Sequence, residues 1–282
     1  CWLCWPTFLS AGPNAACECP ASMRRPVVLL FACLLAVLSG CRSGRENRIV
    51  IASKNFTEQI ILAELLAQHI QARTGLAVEQ RVNLGGTMIC HQALLAGAVD
   101  LYVEYTGTAL TVILDEETIG DSAAVYQQVK AEYIQRFDVE WMEPLGFENT
   151  FAIVVRGEDA RRLKLKTISD VARYAPEWRA GFGYEFMARP DGFAGLAAIY
   201  GLGFSRSPRT MELGLLYRAL KEKQVDLVAG NSTDGVIAAL DLVVLEDDRH
   251  YFPPYQAAAV VRRAALDRSE EHTSELQSRM YL

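Results

Sequence analysis

Three short segments place polar side chains where a strand pattern ends and a helix pattern begins. They are Ser53-Lys54-Asn55, Gly85-Gly86-Thr87 and residues 105–108. In a parallel sheet such segments meet at the carboxyl edge, where the first N–H groups of each helix are free and the positive ends of the helix dipoles gather. This edge favours an anion or a carboxylate. Every α/β fold builds such an edge, so the segments predict where a ligand sits and not which ligand it is.

The residue types needed for enzymatic chemistry do not occur in the required patterns. Cys90 and His91 are adjacent, but neighbouring positions on a helix point to different sides, so we interpret Cys90 as a small core residue. There is no HExxH, GxSxG, P-loop or GxGxxG motif in a suitable context, and Glu246-Asp247-Asp248 lacks the other ligands of a metal loop. We therefore predict that the protein is not an enzyme and needs neither a metal nor a cofactor.

The elements that must position these segments alternate along the chain. Residues 49–52, 76–82 and 99–103 have strand patterns. A helix with Ile61, Leu62, Leu65, Leu66 and Ile70 on its inner stripe fills the first gap, with Asn55 and Glu58 at the spacing of a capping box. A second helix follows Gly86, and a third follows residues 105–108. This order predicts a mostly parallel sheet flanked by helices.

A second series of the same kind begins near residue 151. Residues 115–139 are predicted to form one helix before it. Strands are then predicted at 151–155, 179–183, 225–229 and 242–245, with helices starting near 169, 192 and 213 and after 234. The prediction is an α/β protein of two lobes, each built on a mostly parallel sheet, with the boundary near residues 147–151.

Composition narrows the class of protein. The chain has 282 residues, of which 51% are hydrophobic and 22% charged, and its formal net charge is -6. This is a globular composition, and the acidic balance argues against a nucleic-acid partner. No apolar run reaches the roughly 18–20 residues of a membrane-spanning helix, which excludes a multi-span channel or transporter.

The amino-terminal segment has the pattern of an exported lipoprotein. Residues 1–22 show no period and are predicted to be translated from sequence upstream of Met23. Two arginines and the apolar run 27–38 then predict a signal peptide that ends in Leu-Ser-Gly-Cys. This ending resembles a bacterial lipobox, so residues 23–41 form the signal segment, Cys41 becomes lipidated and residues 42–47 form a tether. The alternative is an ordinary secretory signal cleaved nearby.

The carboxyl-terminal segment does not resemble a natural protein segment. Residues 268–278 read RSEEHTSELQS, which resembles a translated sequencing-library adapter. We therefore expect the native sequence to stop near Asp267 and leave residues 268–282 out of the fold prediction.

Six motifs occur in a fixed order within residues 48–267: SKNFTEQ (53–59), LGGTMICHQAL (84–94), DLYVEYTGTAL (100–110), EFMARPDGFAGL (185–196), STDG (232–235) and YFPPY (251–255). In these motifs the chain resembles the substrate-binding proteins of ABC importers for glycine betaine, choline and related quaternary amines. The resemblance implies the two-lobed periplasmic-binding-protein (type II) fold, with residues 48–149 in lobe 1, 150–250 in lobe 2 and 251–267 returning to a truncated lobe 1. It implies an importer subunit outside the cytoplasm whose partners are a permease and an ATPase, and the lipobox adds a lipid anchor in the bacterial cell envelope.

The resemblance also implies an aromatic site for a quaternary amine. A trimethylammonium group is a weakly hydrated cation that aromatic faces bind, at roughly 0.5–2 kcal/mol per ring. Tyr105 and Tyr255 match cage tyrosines of the family. Phe151 stands where the family usually has Tyr, and Asn231 stands where many members have a fourth cage Tyr.

Four further positions match the polar part of that site. Lys54, Thr108 and Arg189 match positions that meet a carboxylate, and Asn149 lies where a backbone carbonyl usually faces the cation. Because Asn231 removes one wall, the cage either binds glycine betaine weakly or admits a bulkier trimethylated betaine such as ergothioneine. A ligand-sensing module that docks to a receptor is a further alternative, since the same fold serves that use.

Overall fold

The computed structural model describes residues 48–74, 76–117 and 120–270, without the side chains of residues 268–270. The predicted upstream segment, the signal segment with Cys41 and the tether lie outside these residues, as does most of the predicted adapter segment. Within the described residues, no helix combines the length and the apolar character needed to cross a membrane.

The strands of the described residues are, in chain order, β1 (Arg48–Lys54), β2 (Ala77–Gly85), β3 (Leu101–Tyr105), β4 (Val139–Trp141), β5 (Phe151–Arg156), β6 (Ala180–Phe182), β7 (Arg209–Thr210), β8 (Leu227–Asn231), β9 (Leu242–Val244) and β10 (Ala257–Arg262). The helices are α1 (Thr57–Thr74), α2 (Thr87–Leu95), α3 (Thr106–Thr108), α4 (Ser122–Phe137), α5 (Gly157–Leu163), α6 (Tyr184–Ala188), α7 (Phe193–Tyr200), α8 (Leu213–Lys221), α9 (Val236–Ala239) and α10 (Arg263–Glu270). A π-helical turn, Ala109–Ile113, continues α3, and Ser169–Val171 is a 3-10 turn.

These strands form two sheets with equivalent topology. The first sheet has the order β2-β1-β3-β10-β4 and the second has the order β7-β6-β8-β5-β9. In each sheet one strand, β10 or β5, runs antiparallel to both of its neighbours, and the other ladders are parallel. The predicted fold, two α/β lobes with mostly parallel sheets, is confirmed. We call the lobes built on these sheets the first and the second lobe.

Both faces of the first sheet are buried. Along β1, Ile49 and Ile51 pack on one face with Ala63 and Ile70 of α1. Val50 and Ala52 alternate to the opposite face, in the cluster that contains residues of α2 and α4. Successive side chains of a strand point to opposite faces of the sheet. A strand that is covered on both faces therefore needs apolar residues at every position, as residues 49–52 have.

Two of the predicted helices differ from the observed ones. The helix predicted over 115–139 is shorter, Ser122–Phe137, because Asp121 caps its start by accepting from the Ala124 N–H. Asp138 then ends it in the left-handed region (φ 56°), and the next residue starts β4. The helix predicted from residue 169 is only the 3-10 turn.

The amino-terminal turn of α1 also differs from the prediction. Helix α1 starts at Thr57, and Glu58 Oε1 accepts from the Tyr105 hydroxyl and the Asn149 amide. Its buried face contains Leu62 and Ile70, whereas Ile61 and Leu65 are exposed.

The second lobe contains a buried charge network at the end of β5. The Arg156 guanidinium donates to Asp159 at 2.6 Å and to Asp226 at 2.8 Å. It also donates to the backbone carbonyls of Leu220 at 3.0 Å and Val225 at 2.6 Å. Only 9% of the Arg156 side chain is exposed, so its removal takes one buried partner from each of these groups, although Asp159 keeps Arg162 and Asp226 keeps Arg179.

We expect Arg156→Met to lower the free energy of unfolding by about 3 kcal/mol, the usual cost of breaking a buried ion pair from one side. The matched control is Arg161→Met, because Arg161 pairs with Asp241 at the surface with both side chains 64% exposed. That substitution should cost much less, because solvent screens an exposed ion pair. Urea denaturation measures both values, and equal losses would contradict the structural role given to Arg156.

Candidate ligand-binding site

One cavity between the two sheets gathers all eight residues that the sequence predicts to bind a ligand. These are Lys54, Tyr105, Thr108, Asn149, Phe151, Arg189, Asn231 and Tyr255. The cavity encloses about 600 Å³ of empty space, open solvent included. The first lobe contributes the ends of β1 and β3 and the start of α3, as the segments at the carboxyl edge of the sheet predict.

The cavity has further lining residues that the sequence analysis did not name as ligand-binding. They are Phe56, Thr87, Glu185, Phe186, Leu213, Ala229 and Gly230. Of these, Thr87 belongs to a segment predicted at the carboxyl edge of the first sheet. Phe56 belongs to the motif SKNFTEQ and directly follows β1, a position that could have indicated its role. Glu185 and Phe186 sit on α6 of the second lobe and open the motif EFMARPDGFAGL, but the motif alone does not indicate which of its residues face the cavity.

Tyr105 presents its ring to the cavity while its hydroxyl is anchored behind it. The hydroxyl donates to Glu58 Oε1 at 2.5 Å and accepts from Gln59 Nε2 at 3.0 Å. The Phe56 ring stacks beside it with centroids 6.2 Å apart. Burial, with the nearby Glu58 carboxylate, raises the pKa of Tyr105, so the ring carries a neutral hydroxyl at all ordinary pH values.

Tyr255 is anchored in the same way from the strand that returns to the first lobe. Its hydroxyl donates to Asp191 Oδ2 at 2.6 Å. Burial and the Asp191 charge raise its pKa well above the usual value. Its ring meets Phe151 edge to face at 6.1 Å, and Phe151 meets Phe186 edge to face at 4.8 Å. The rings form an aromatic wall of the cavity in two contacting groups, Phe56 with Tyr105 and Phe151 with Phe186 and Tyr255.

Lys54 lines the cavity as half of a buried ion pair. Its ammonium donates to Glu104 Oε1 at 2.5 Å and to Thr87 Oγ1 at 3.1 Å. Glu104 also accepts from the Tyr102 hydroxyl and from the Tyr105 N–H. The two charged side chains are 3% and 0% exposed, so each depends on the other for compensation.

Arg189 is the second lining cation, and it is paired as well. It binds Asp191 through two nitrogens at 2.8 and 2.6 Å and donates to Thr108 Oγ1 at 3.0 Å. Its guanidinium lies 4.8 Å from the centroid of the Phe151 ring. Burial opposes ionisation of Asp191, but the hydrogen bonds and charge of Arg189, with the hydroxyls of Tyr255 and Thr111, lower its pKa below the usual value.

Glu185 reaches across the cavity to the start of α2. Its Oε1 accepts from the Thr87 N–H at 2.6 Å, and its Oε2 lies 3.5 Å from Thr87 Oγ1. Thr87 is the first residue of α2, so a carboxylate of the second lobe occupies a helix amino terminus of the first.

The two asparagines of the site are held by carboxylates. Asn149 Nδ2 donates to Glu58 Oε1 at 2.9 Å. Asn231 stands opposite Phe151 in the β5–β8 ladder, and its N–H donates to Asp234 Oδ2 at 3.1 Å. Asn231 therefore lines the cavity at the position predicted for a missing cage wall.

Cys90 and His91 lie on α2 in the core of the first lobe. Burial raises the pKa of the Cys90 thiol to about 12, which leaves it protonated. The His91 ring packs edge to face on Phe137 at 4.9 Å and on Tyr133 at 5.8 Å. This packing gives it a structural role in the core and not that of a base for the Cys90 thiol. Among the described residues, no group of three or more His, Cys, Asp or Glu side chains could hold a metal ion.

Burial lowers the pKa of His91 below its usual value, which makes the stability of the first lobe depend on pH. Above the unfolded pKa of about 6.5, His91 is neutral in both the folded and the unfolded protein. As the pH falls below this value, the unfolded chain takes up a proton first, so the folded protein loses stability. We expect His91→Phe to remove this loss of stability. The difference in unfolding free energy between the wild type and the variant should change between about pH 7 and pH 5, by at most about 1.4 kcal/mol per pH unit.

The matched control is His69→Gln, since His69 is exposed on α1. Urea denaturation across this pH range should give the control the same profile as the wild type. A His91→Phe profile parallel to the wild type would contradict the buried neutral state of His91.

Comparison with known proteins gives consistent similarities over most of the chain. The family model OpuAC, described as the substrate-binding domain of ABC-type glycine betaine transport systems, matches residues 47–279. A glycine-betaine-binding protein of Pseudomonas aeruginosa is 37% identical over 255 residues, covering 86% of this chain and 80% of the relative. The carnitine transport binding protein OpuCC of Listeria monocytogenes is 35% identical over 260 residues, covering 88% and 84%. The crystal structure of a glycine betaine/carnitine/choline ABC transporter protein is similar with a TM-score of 0.65 and 34% identity, covering 81% of this chain and 85% of that chain.

Proposed function

The chain belongs to the family of substrate-binding domains of ABC-type glycine betaine transport systems, and we propose that its cavity captures a quaternary-ammonium solute for an importer. The solute would be glycine betaine, choline or a related compound. The named relatives are transport binding proteins and not enzymes, in agreement with the predicted class.

The observation that carries this proposal is the wall of aromatic rings that lines the cavity. Tyr105, Phe151 and Tyr255 line it together with Phe56 and Phe186. Because both tyrosine hydroxyls donate to carboxylates, their rings are fixed in place and made more electron-rich. A trimethylammonium group offers no N–H donor, so ring faces are the surface that binds it best.

The remaining lining residues would hold the other end of the solute and close the cavity. Thr108 and Arg189 come from different lobes and are already hydrogen-bonded to each other. Lys54 and Asn149 lie on the same cavity. A solute that touches both lobes stabilises the closed arrangement, and this arrangement is the form that a permease would recognise.

The location and partners of the protein extend this proposal. We expect the protein to act outside the cytoplasm and to deliver its solute to the permease and ATPase subunits of the importer. Anchoring through a lipid on Cys41 would keep it close to the permease. A receptor-docking sensor with the same cavity is the alternative, and solute uptake by cells that lack this protein distinguishes the two.

Isothermal titration calorimetry of the purified protein tests the proposed function, with glycine betaine, choline, carnitine and ergothioneine as solutes. We expect at least one of them to bind. Tyr255→Ala and Tyr105→Ala should each weaken that binding about tenfold, because each removes one cation–π contact and part of the wall.

The matched control is Tyr184→Ala, since the Tyr184 side chain is 61% exposed and does not line the cavity. Its affinity should equal that of the wild type. A folded wild-type protein that binds none of the four solutes would contradict the proposal. Equal losses of affinity in the Tyr184 and Tyr255 variants would contradict the role of the ring wall.

A further inference from the structure

The positions at which this cavity could hold an anion are already occupied by the protein's own carboxylates. The Lys54 ammonium is bound by Glu104, and the Arg189 guanidinium is bound by Asp191. The amino terminus of α2, the third such position, is bound by Glu185. Among the charged residues that line the cavity, Glu185 alone has no oppositely charged partner within 4.0 Å in the described part of the chain.

The position of Glu185 is built into both lobes. Helix α2 has nine residues, and its amino terminus stabilises the charge of a carboxylate placed there. Gly86, immediately before α2, leaves the space that the carboxylate fills, because a Cβ at this position would collide with the Glu185 side chain. Any larger residue at position 86 would therefore displace Glu185.

The surroundings of the cavity add further negative charge. Glu58 binds the Tyr105 hydroxyl and the Asn149 amide, and neither donor is charged. Asp234 binds the Tyr217 hydroxyl and Asn231, which are also neutral. No Lys or Arg of the described residues lies within 4.0 Å of these two carboxylates. With its two cations matched by Glu104 and Asp191, the cavity is negative overall.

We propose that Glu185 determines the charge of the solute, so that the cavity prefers a quaternary ammonium with net positive charge, such as choline, over a zwitterion with a carboxylate, such as glycine betaine. This inference rests on the proposed function, which places the trimethylammonium group on the ring wall. Both solutes carry that group. They differ at the other end, where a carboxylate would meet Glu185 and an alcohol would not. An uncompensated charge a few ångströms away changes affinity about tenfold or more in a partly buried site.

Calorimetric titration with choline, glycine betaine and tetramethylammonium tests this inference. Glu185→Gln keeps an oxygen that accepts from the Thr87 N–H and removes the charge. We expect the ratio of the glycine betaine Kd to the choline Kd to fall about tenfold in this variant. Glu185→Asp keeps the charge on a shorter side chain, so it should keep the wild-type preference even where the contact with Thr87 weakens.

The matched control is Glu177→Gln, which makes the same change of charge at an exposed position of the second lobe. Its ratio should equal that of the wild type. A ratio that stays within twofold of the wild type in Glu185→Gln would overturn the inference, as would a ratio that falls equally in Glu185→Asp. Tetramethylammonium separates the two proposals, because its binding to the wild type supports the ring wall whatever Glu185 does. Failure of choline and glycine betaine to bind would overturn this inference, whereas the proposed function is refuted only if carnitine and ergothioneine fail to bind as well.

Discussion

The guanidinium of Arg189 and the carboxylate of Asp191 are buried together where the two lobes meet, and most of the site is arranged around this pair. A charge buried without its partner costs several kcal/mol, so neither group can move alone. Asp191 fixes the Tyr255 hydroxyl and accepts from Thr111 of the first lobe. Arg189 contacts Thr108 and covers one face of Phe151. The pair thereby sets the positions of two rings and joins the lobes. Lys54 and Glu104 form a second buried ion pair beside Tyr105, within the first lobe.

Three carboxylates, Glu58, Asp191 and Asp234, stand behind neutral side chains and do not line the cavity, whereas Lys54, Arg189 and Glu185 line it directly. Tyrosine hydroxyls and asparagine N–H groups lie between these carboxylates and the cavity and donate hydrogen bonds to them. The cavity is therefore affected by the negative charge, while the carboxylates themselves stay covered. An aromatic ring whose hydroxyl is held by a carboxylate remains a neutral, apolar surface that a weakly hydrated cation can approach. Such an arrangement binds positive charge while it avoids the desolvation cost of a direct ion pair.

The sequence predicts the fold class and seven of the ten described strands, because strand and helix periods are local signals, but it predicts no strand at β4, β7 or β10. It also predicts the cavity segments, since the ends of parallel strands must meet at one edge. The antiparallel direction of β5 and β10 was not predicted, because it depends on where the chain crosses between lobes. Glu185 could not be found either, since its contact with Thr87 joins residues 98 positions apart and follows from the docking of the lobes. The ends of a helix were mispredicted where one residue determines them, as Asp121 and Asp138 do for α4.

The place of β10 in the first sheet has a consequence for the order in which the lobes form. The strands of the second sheet come from one continuous stretch, Phe151 to Val244. The first sheet instead needs β10, which inserts between β3 and β4 and is made only after the whole of that stretch. Because the chain is synthesised from its amino terminus, the second lobe can be complete while β3 and β4 still have unpaired edges. Completing the first lobe requires contacts between residues far apart in sequence, so it is the slower step. Until β10 is in place, β3 and β4 have unpaired edges and are the strands most exposed to mispairing.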